Sequence, residues 1–321
     1  MTDPATREHR LIAKIKEWTG ERLIGDDCAL LPGQTLVTAD TLVEHTHFVI
    51  PGISYSDLGW KSIAVNLSDI AAMCGRPRFA IVNLTLPAQV RETDIEHLYL
   101  GMVECARAYR CRIVGGDLTR GDSIVISITV IGEAHERGVA MRNGALPGDF
   151  VVCTGDFGAS AAGLWAMQRG EASLHKHVSR KHFRPLPRLC ESWALVRATG
   201  GRCALMDASD GLADALVQIA AASKVGMEID AERLPVHPET KAVAKHADVD
   251  VMDWILYGGE DYELVGTIAP EQWKELQESP HNAFVKIGTV TDEAANVSLR
   301  IAGQQSQPVL LEKTYQHWSK E

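Results

Sequence analysis

The spacing of apolar positions along the chain predicts alternating helices and strands. Apolar residues recur at helical intervals from Ser56 to Gly75, with Ser or Asp as the cap and Gly as the stop. Strict alternation predicts a strand over 35–43, and the run at 123–133 is typical of another. Further helices are predicted at 7–18, 92–110, 158–168, 187–199 and 211–224. Further strands are predicted at 78–86, over a short stretch ending in IVGGD at 113–117, and at 149–154, 203–207, 226–230, 262–268, 283–290 and 296–301.

A Gly- and Pro-containing stretch at 135–149 lacks periodicity and separates two halves of the chain. Because both halves mix helices with strands, we expect an α/β or α+β fold. We predict two domains, 1–137 and 138–321, and the length of 321 residues agrees with that division.

Composition and charge narrow the class of protein. With 45% hydrophobic and 23% charged residues, the chain can bury a sizeable core. A net charge of −10 argues against nucleic acid or an acidic membrane as the main partner. The N-terminus lacks a signal-peptide core and no apolar run is long enough to span a membrane, so we expect a cytoplasmic protein. The seven scattered cysteines, without a CxxC pair, are expected to be buried free thiols.

Aspartates recur at the ends of predicted elements, beside Gly, Ser or Thr and among apolar residues. They are Asp26, Asp27, Asp40, Asp69, Asp117, Asp207 and Asp210. Buried carboxylates are usually paired or metal-bound, and compensating Lys or Arg is sparse beside these in the sequence. Mg²⁺ accepts carboxylate oxygen and bridges to phosphates. The pattern therefore indicates Mg²⁺ with a polyphosphate if the acids converge, whereas any single Asp is also typical of a cap, a turn or the surface.

The run MDASDGLADAL at 206–216 places three acids where a strand ends and a helix begins. A helix N-cap accounts for one of them. For Asp214, one turn further on, an exposed side chain is the simplest expectation. Asp207 and Asp210 then lie close together without an obvious partner.

Other motifs carry weaker signals. The chain has no P-loop, GxGxxG, GxSxG, HExxH or CxxC motif. Double glycines at 115–116 and 258–259 could let backbone N–H groups approach an anion, and Arg142 could either clamp a phosphate or form a surface ion pair. The basic run at 175–188 is predicted to be a solvated loop or helix face. His45 and His47 are predicted to lie on the same side of a strand.

Several of these segments together resemble a known family. GDDCALL, TADTLVEHTHF, KSIAVNLSDIAAMCGRP, GGDLTRG, RNGALPGD, DASDGL and GGEDYEL occur in the order expected of thiamine-monophosphate kinases. That family belongs to the aminoimidazole ribonucleotide synthetase superfamily, and the resemblance runs from about residue 7 into the C-terminal tail. The acidic motifs alone fit the wider superfamily, whereas TLVEHTHF and YGGEDYEL match the kinases.

The resemblance implies both a fold and a reaction. The N-terminal sheet would join that of a second subunit into a barrel across a homodimer, followed by a C-terminal α/β domain of the same superfamily. ATP and several Mg²⁺ ions would lie between the domains, and the γ-phosphoryl group would pass in line to thiamine monophosphate, giving thiamine diphosphate. Because the acceptor phosphate oxygen is already ionised, no strong general base is expected.

Site residues follow from the resemblance alone. The implied Mg²⁺ ligands are Asp27, Thr38, Asp40, Asp69, Asp117, Asp207 and Asp210, of which Asp27, Asp40, Asp69 and Asp210 are also expected to be catalytic. Nucleotide contacts are expected from Thr38, Gly116, Asp117, Arg142 and Ser209. The thiamine phosphate would meet His47, Glu260 and a tail aromatic, Tyr315 or Trp318. Ala39 departs from the family pattern, which often has Ser or Thr there.

Three alternatives stay open at this point. The first is another enzyme of the superfamily, such as aminoimidazole ribonucleotide synthetase or selenide-water dikinase, although Cys28 in its apolar run does not resemble the reactive residue of the latter. The second is a non-catalytic regulator that binds nucleotide or metal, and its expected sign would be lost acidic ligands. The third is a metal-dependent phosphohydrolase, which would release phosphate without an acceptor.

Overall fold

The computed structural model describes residues 6–294 and 296–314. Tyr315 and Trp318, the predicted tail contacts, lie outside the described residues. Among the helices of the described ranges, none combines the length and apolar character needed to cross a membrane.

The first half of the chain forms a five-stranded sheet with two helices packed on one face. Its elements are α1 (Arg7–Thr19), β1 (Ala29–Leu31), β2 (Thr35–Val43), α2 (Tyr55–Ala72), β3 (Arg76–Leu86), α3 (Glu92–Ala108), β4 (Arg112–Arg120) and β5 (Val125–Glu133). The strand order is β1-β2-β5-β3-β4. The β3–β4 pair is parallel and the other neighbours are antiparallel, so β4 forms an edge of a mixed sheet.

The second half forms a seven-stranded sheet flanked by helices. Its strands are β6 (Phe150–Cys153), β7 (Leu205–Asp207), β8 (Gly226–Asp230), β9 (Leu264–Ile268), β10 (Val285–Thr291), β11 (Val297–Arg300) and β12 (Gln307–Pro308), ordered β12-β11-β8-β10-β6-β9-β7. Its helices are α4 (Ala159–Gln168), α5 (Lys176–Phe183), α6 (Leu189–Thr199), α7 (Leu212–Ser223), α8 (Pro238–Ala247), α9 (Val251–Tyr257) and α10 (Pro270–Gln277). Only the β8–β11 pair is parallel among the described strands of this sheet.

Helix α2 is the central element that connects the two halves. Ser54 caps it by accepting a hydrogen bond from the Asp57 amide. Nearly the whole helix is buried, because α3 packs on it backbone to backbone. A Cβ at Gly59 would lie 1.9 Å from the carbonyl oxygen of Leu98, so only glycine allows this approach. On another side, Trp60 Nε1 donates to the carbonyl oxygen of Pro185 in the second half, at 2.8 Å.

The face of the first sheet that lies opposite α2 and α3 is only partly buried. Phe79, Ile131 and Val37 lie on this face, and Phe79 is 39% exposed. This apolar surface, here called the open sheet face, is the largest departure of the first half from a fully covered α/β layer.

The structure confirms the predicted helices and strands to within a few residues at their ends and corrects several details. Helices α8, α9 and α10 and the short strands β1 and β12 were not predicted. His45 and His47 lie in a turn, because β2 ends at Val43 and His45 has a left-handed φ of 68°. The predicted domain division at 137/138 stays a prediction.

Candidate active site

A cavity of about 700 Å³ lies between the two halves of the molecule. The β2 end, the following turn and α2 form one wall, and α4, α5 and the segments before α7 and β9 form the other. Acids lie at one end, where the lining includes Asp40, Ser209 and Asp210. Apolar side chains line another part, among them Phe48 and Met167. A cavity with one charged and one apolar region suits an amphiphilic ligand that carries a phosphate.

Three aspartates converge beside this cavity. Asp27, Asp69 and Asp207 each offer a carboxylate oxygen, and these oxygens lie within 4.8 Å of one another. Asp27 precedes β1, Asp69 lies near the end of α2 and Asp207 ends β7, so both halves contribute. Burial and the neighbouring acids raise the pKa of Asp69 and of Asp207 well above the ordinary value. This acid cluster has the oxygen ligands and negative charge that a hard divalent cation prefers.

Hydroxyl groups fix the orientation of the acid cluster. Thr38 Oγ1 donates to Asp69 Oδ2 at 2.5 Å, and Ser68 Oγ donates to Asp207 Oδ2 at 2.5 Å. The second bond joins α2 to the second half of the chain. Asp27 Oδ2 is buried and has no hydrogen-bond partner among the residues that the structure describes. Since a buried carboxylate oxygen is costly to leave unpaired, this atom is free to accept a ligand.

Asp40 and Asp210 lie between the acid cluster and the cavity. Burial followed by the charge of Asp27 raises the pKa of Asp40 to about 6. Burial followed by the charges of Asp214 and Glu8 raises the pKa of Asp210 to about 7. Repulsion among carboxylates is therefore present throughout this end of the cavity.

Arg142 compensates part of this charge, which corrects the expectation that Arg and Lys are sparse near the acids. Its Nη2 lies 2.7 Å from Asp27 Oδ1, and its backbone amide donates to Asp26 Oδ1 at 2.8 Å. Burial lowers the pKa of Arg142, but the charge of Asp27 outweighs burial and raises it. The ion pair is buried, so the alternative of a surface ion pair is wrong. A contact between Arg142 and a phosphate stays a prediction.

The prediction that Asp214 is exposed is wrong. Its side chain is 2% exposed, and Oδ2 accepts a hydrogen bond from Gln218 Nε2 at 2.5 Å. Gln218 Oε1 in turn accepts from Arg142 Nη1 at 2.7 Å. The expected N-cap is also wrong, because Gly211 precedes α7 and makes no side-chain cap. Asp207 and Asp210 do lie at a strand-to-helix corner, as expected.

Glu260 faces the cavity and is held by both halves of the chain. Its Oε1 lies 2.9 Å from Lys61 Nζ on α2, and its Oε2 lies 3.4 Å from His182 Nδ1 on α5. Burial alone would raise the pKa of Glu260, but the charge of Lys61 outweighs it and lowers the pKa. The φ angles of Glu260 and Tyr262 are 66° and 51°. Such left-handed backbone costs about 1–2 kcal/mol for each residue, so the rest of the structure imposes this conformation.

His47 and Ser209 also line the cavity. The Val43 amide donates to His47 Nδ1 at 3.0 Å. The carbonyl oxygen of Ser209 accepts from the Glu260 amide at 2.6 Å, and a Cβ at Gly259 would lie 2.9 Å from the same oxygen. The double glycine at 258–259 therefore lets these two segments pack closely.

Two predicted site residues, Gly116 and Asp117, are not brought to the acid cluster within one chain. Both lie on β4, three strands away from β2, or about 14 Å at the usual strand spacing. Asp117 on β4 is in register with Asn83 on β3, which is in register with Ser127 on β5. These three side chains therefore share one face of the sheet, and Asp40 lies on the other face. Ala39 is exposed on the face opposite Asp40.

The expectation that the basic run at 175–188 is solvated is wrong for its inward residues. Lys181 Nζ pairs with Glu263, and Arg188 binds the same carboxylate through Nη2 at 2.6 Å and Nε at 2.7 Å. Burial raises the pKa of Glu263, yet Lys181 and Arg188 outweigh it and lower the pKa. His182 is buried, and burial followed by Lys61 lowers its pKa to about 3. Six of the seven cysteines are buried free thiols as expected, whereas Cys190 is exposed.

Sequence reasoning did not single out Lys61. It lies within a strongly periodic helix, where a lysine is typical of the solvent-facing side. In the structure its side chain is 1% exposed and lines the cavity. The signal available in the sequence was the tryptophan directly before it and the apolar run IAV that follows Ser62, in WKSIAV.

Comparison with known proteins agrees with this architecture. Models of the AIR synthase related protein match the chain, the N-terminal domain over 25–134 and the C-terminal domain over 147–299. A thiamine-monophosphate kinase of Bacillus subtilis is 37% identical over 308 residues, covering 92% of this chain and 93% of the relative. A thiamine-monophosphate kinase of Escherichia coli K12 is 34% identical over 306 residues, covering 92% and 91%.

Solved structures show the same relationship. "AaThiL complexed with AMPPCP and TMP" superposes with a TM-score of 0.82 at 29% identity, over 94% of this chain and 96% of that one. Thiamine monophosphate kinase from Aquifex aeolicus gives 0.80 at 31% identity, over 90% and 94%. Hydrogenase maturation protein HypE in complex with ATP gives 0.72 at 21% identity, over 95% and 94%, which is a likeness of fold alone. These comparisons confirm the expected two-domain AIR-synthase-like fold with mixed sheets. The chain belongs to the thiamine-monophosphate kinase family.

Proposed function

We propose that this protein transfers the γ-phosphoryl group of ATP to the phosphate of thiamine monophosphate and so makes thiamine diphosphate in the cytoplasm. The observation that carries the proposal is the convergence of the acid cluster of Asp27, Asp69 and Asp207 beside a cavity that also has an apolar region. A relative with the same fold is described as bound to AMPPCP and TMP. Joining two anionic phosphates requires charge neutralisation more than covalent chemistry.

The residues present fit Mg²⁺. The acid cluster consists of carboxylate oxygens, the ligands that Mg²⁺ prefers, and within the described ranges Asp27 Oδ2 is a buried oxygen without a partner. Asp27, Asp69 and Asp207 would hold the metal, with Asp40 and Asp210 on its cavity side. Bound there, Mg²⁺ would neutralise charge on the two phosphate groups that react. Thr38 and Ser68 would keep the carboxylates oriented through their hydrogen bonds.

The remaining residues of the chain would bind and align the two substrates. Arg142, now paired with Asp27, lies close enough to the acid cluster to share the charge of a nucleotide phosphate, and Ser209 lines the same end of the cavity. His47 and Glu260 would contact thiamine monophosphate, and the family resemblance adds a tail aromatic, Tyr315 or Trp318, as a further contact. Because the acceptor oxygen is already ionised, we propose direct in-line transfer without a phosphorylated protein intermediate.

We further propose a homodimer formed through the open sheet face. Apolar sheet surface of this kind normally packs on a second layer, and joining two copies there would make a barrel. Such pairing would give Gly116 and Asp117, which lie at the β4 edge, a nucleotide or metal to contact across the dimer. Phe79→Asp is expected to produce monomers in analytical ultracentrifugation, whereas Asp292→Asn, at an exposed position, keeps the dimer. A monomeric wild-type protein would contradict the proposal.

The direct test is a phosphorus NMR time course with Mg-ATP and thiamine monophosphate, beside a reaction without the acceptor. We expect a new diphosphate signal with an equal amount of ADP, and neither in the reaction without acceptor. Asp207→Asn should abolish this signal while Asp292→Asn preserves it. ADP formed equally in both reactions would instead indicate a phosphohydrolase, and no turnover by the wild type would refute the proposed function.

A further inference from the structure

Lys61 is a buried lysine whose ammonium group reaches the cavity from α2. Its side chain is 1% exposed, and Nζ lies 2.9 Å from Glu260 Oε1. Burying a lysine is costly unless an acid pairs with it, so this ion pair joins the first half of the chain to the loop before β9. The other residues of α2 next to Lys61, namely Trp60 and Ser62, are buried as well.

The partner of Lys61 is held in a constrained position. The Glu260 amide donates to the carbonyl oxygen of Ser209, and the residue has a left-handed φ angle. About a quarter of the Glu260 side chain is exposed, and the exposed part faces the cavity. A strained loop that presents a carboxylate to a cavity points to a binding role for that carboxylate.

The groups around Glu260 show why Lys61 matters. His182 on α5 lies 3.4 Å from Oε2 and is also 3.0 Å from Ser160 Oγ on α4. His47 and Asp210 act on the same carboxylate electrostatically from the turn after β2 and from the corner before α7. Because burial holds His182 neutral, Lys61 is the full positive charge in hydrogen-bond contact with Glu260 among the described residues.

We propose that Lys61 is a positioning residue that fixes the orientation and negative charge of Glu260, so that this carboxylate binds the cationic, amine-bearing ring system of the acceptor. The inference rests on the proposed function and deepens it. The acceptor proposed above carries a thiazolium cation and an aminopyrimidine, and both favour an ionised carboxylate over a neutral one. Lys61 therefore acts on acceptor binding through Glu260 and does not touch the nucleotide.

The test compares Lys61→Met, Glu260→Gln and the double variant with Lys245→Met, which removes an exposed lysine on α8. For Lys61→Met we expect the KM for thiamine monophosphate to rise at least about tenfold, the size of a lost charge-assisted hydrogen bond, with the KM for ATP unchanged. The double variant should have the same KM as Glu260→Gln alone, because Lys61 acts through Glu260. Lys245→Met should match the wild type.

Two results would overturn the inference. One is a Lys61→Met variant whose KM for thiamine monophosphate is unchanged or whose KM for ATP rises equally. The other is a double variant whose loss is the product of the two single losses. If Lys61→Met fails to fold, the comparison of the double variant with Glu260→Gln still tests the inference, because the double variant leaves neither charge buried alone. Failure of the proposed function is distinguishable, since it appears as a wild type without diphosphate formation.

Discussion

Replacing one acid of the cluster should stabilise the metal-free protein in a pH-dependent way. Asp69→Asn keeps the shape of the side chain and an oxygen that can accept from Thr38, but removes the charge. The variant therefore isolates like-charge repulsion from packing. We expect the substitution to remove the repulsion with Asp207, while the repulsion with Asp27 is largely offset by Arg142.

The magnitude follows from the distance between the oxygens. The oxygens lie within 4.8 Å of one another, and at that limiting separation and an effective dielectric of about 20 one pair of unit charges repels by about 3.5 kcal/mol. Burial, and then Asp40 and Asp207, raises the pKa of Asp69 in the folded protein. A raised folded pKa means that the native state holds its proton more tightly than the unfolded state, so wild-type stability falls as pH rises towards that pKa. The variant lacks this loss.

The assay is thermal unfolding in EDTA at several pH values. Wild type and Asp69→Asn should be closest in stability near pH 4, the ordinary pKa of an aspartate, and the variant should gain about 3.5 kcal/mol by pH 9, or about 7 °C in Tm. Asp292→Asn, an exposed acid, should show no such divergence. With Mg-ADP at a hundred times its Kd, the wild type should gain about 2.7 kcal/mol and the variant much less. An Asp69→Asn protein less stable than wild type at pH 9 in EDTA would refute the reasoning.

Three further outcomes follow from the packing of the chain. Glu263→Gln removes the buried charge that Lys181 and Arg188 share and leaves Arg188 only its pair with Glu191, so urea unfolding should show a loss of about 3–5 kcal/mol, and an unchanged midpoint would contradict the pairing. Iodoacetamide should label only Cys190 in the native chain and all seven cysteines in denaturant, as counted by mass spectrometry; native labelling of a second thiol would be inconsistent with the burial. Gly116→Ala should weaken the edge strand in hydrogen exchange, because its Cβ would lie 1.7 Å from a carbonyl oxygen of β3, whereas Gly115→Ala meets nothing within 4 Å and should not.

Local features of the fold could be read from the sequence because they depend on neighbouring residues. The helical period of α2 and the alternation of β2 and β5 appear directly in the apolar pattern. The corner that holds Asp207 and Asp210 was likewise visible, since a strand, a Ser-Asp-Gly turn and a helix follow one another. Helices α8 and α10 have only ten and eight residues, so the helical period repeats too few times to be recognised.

The burial of charged side chains could not be read in the same way, because the partner is distant in the sequence. Lys181 and Arg188 lie 82 and 75 residues from Glu263, so their run resembles an exposed basic face until the chain folds. Asp214 resembles an exposed residue for a similar reason, although its hydrogen bond to Gln218 leads back to Arg142. Asp117 shows another limit, because the sequence of one chain does not say what lies opposite an open strand edge.

The rigidity of α2 has a consequence for which molecules can react. Lys61 and Ser68 lie on one face of this helix, seven residues apart, which corresponds to about 10.5 Å. Lys61 touches Glu260 at one end, and Ser68 touches Asp207 at the other. Because an α-helix does not stretch, the distance between the Glu260 end and the Asp207 end of the proposed site is fixed. The site would therefore select acceptors by their length. An unphosphorylated alcohol anchored at Glu260 would fall short of the acids, whereas a diphosphate would reach past them, so the reaction would stop after one transfer.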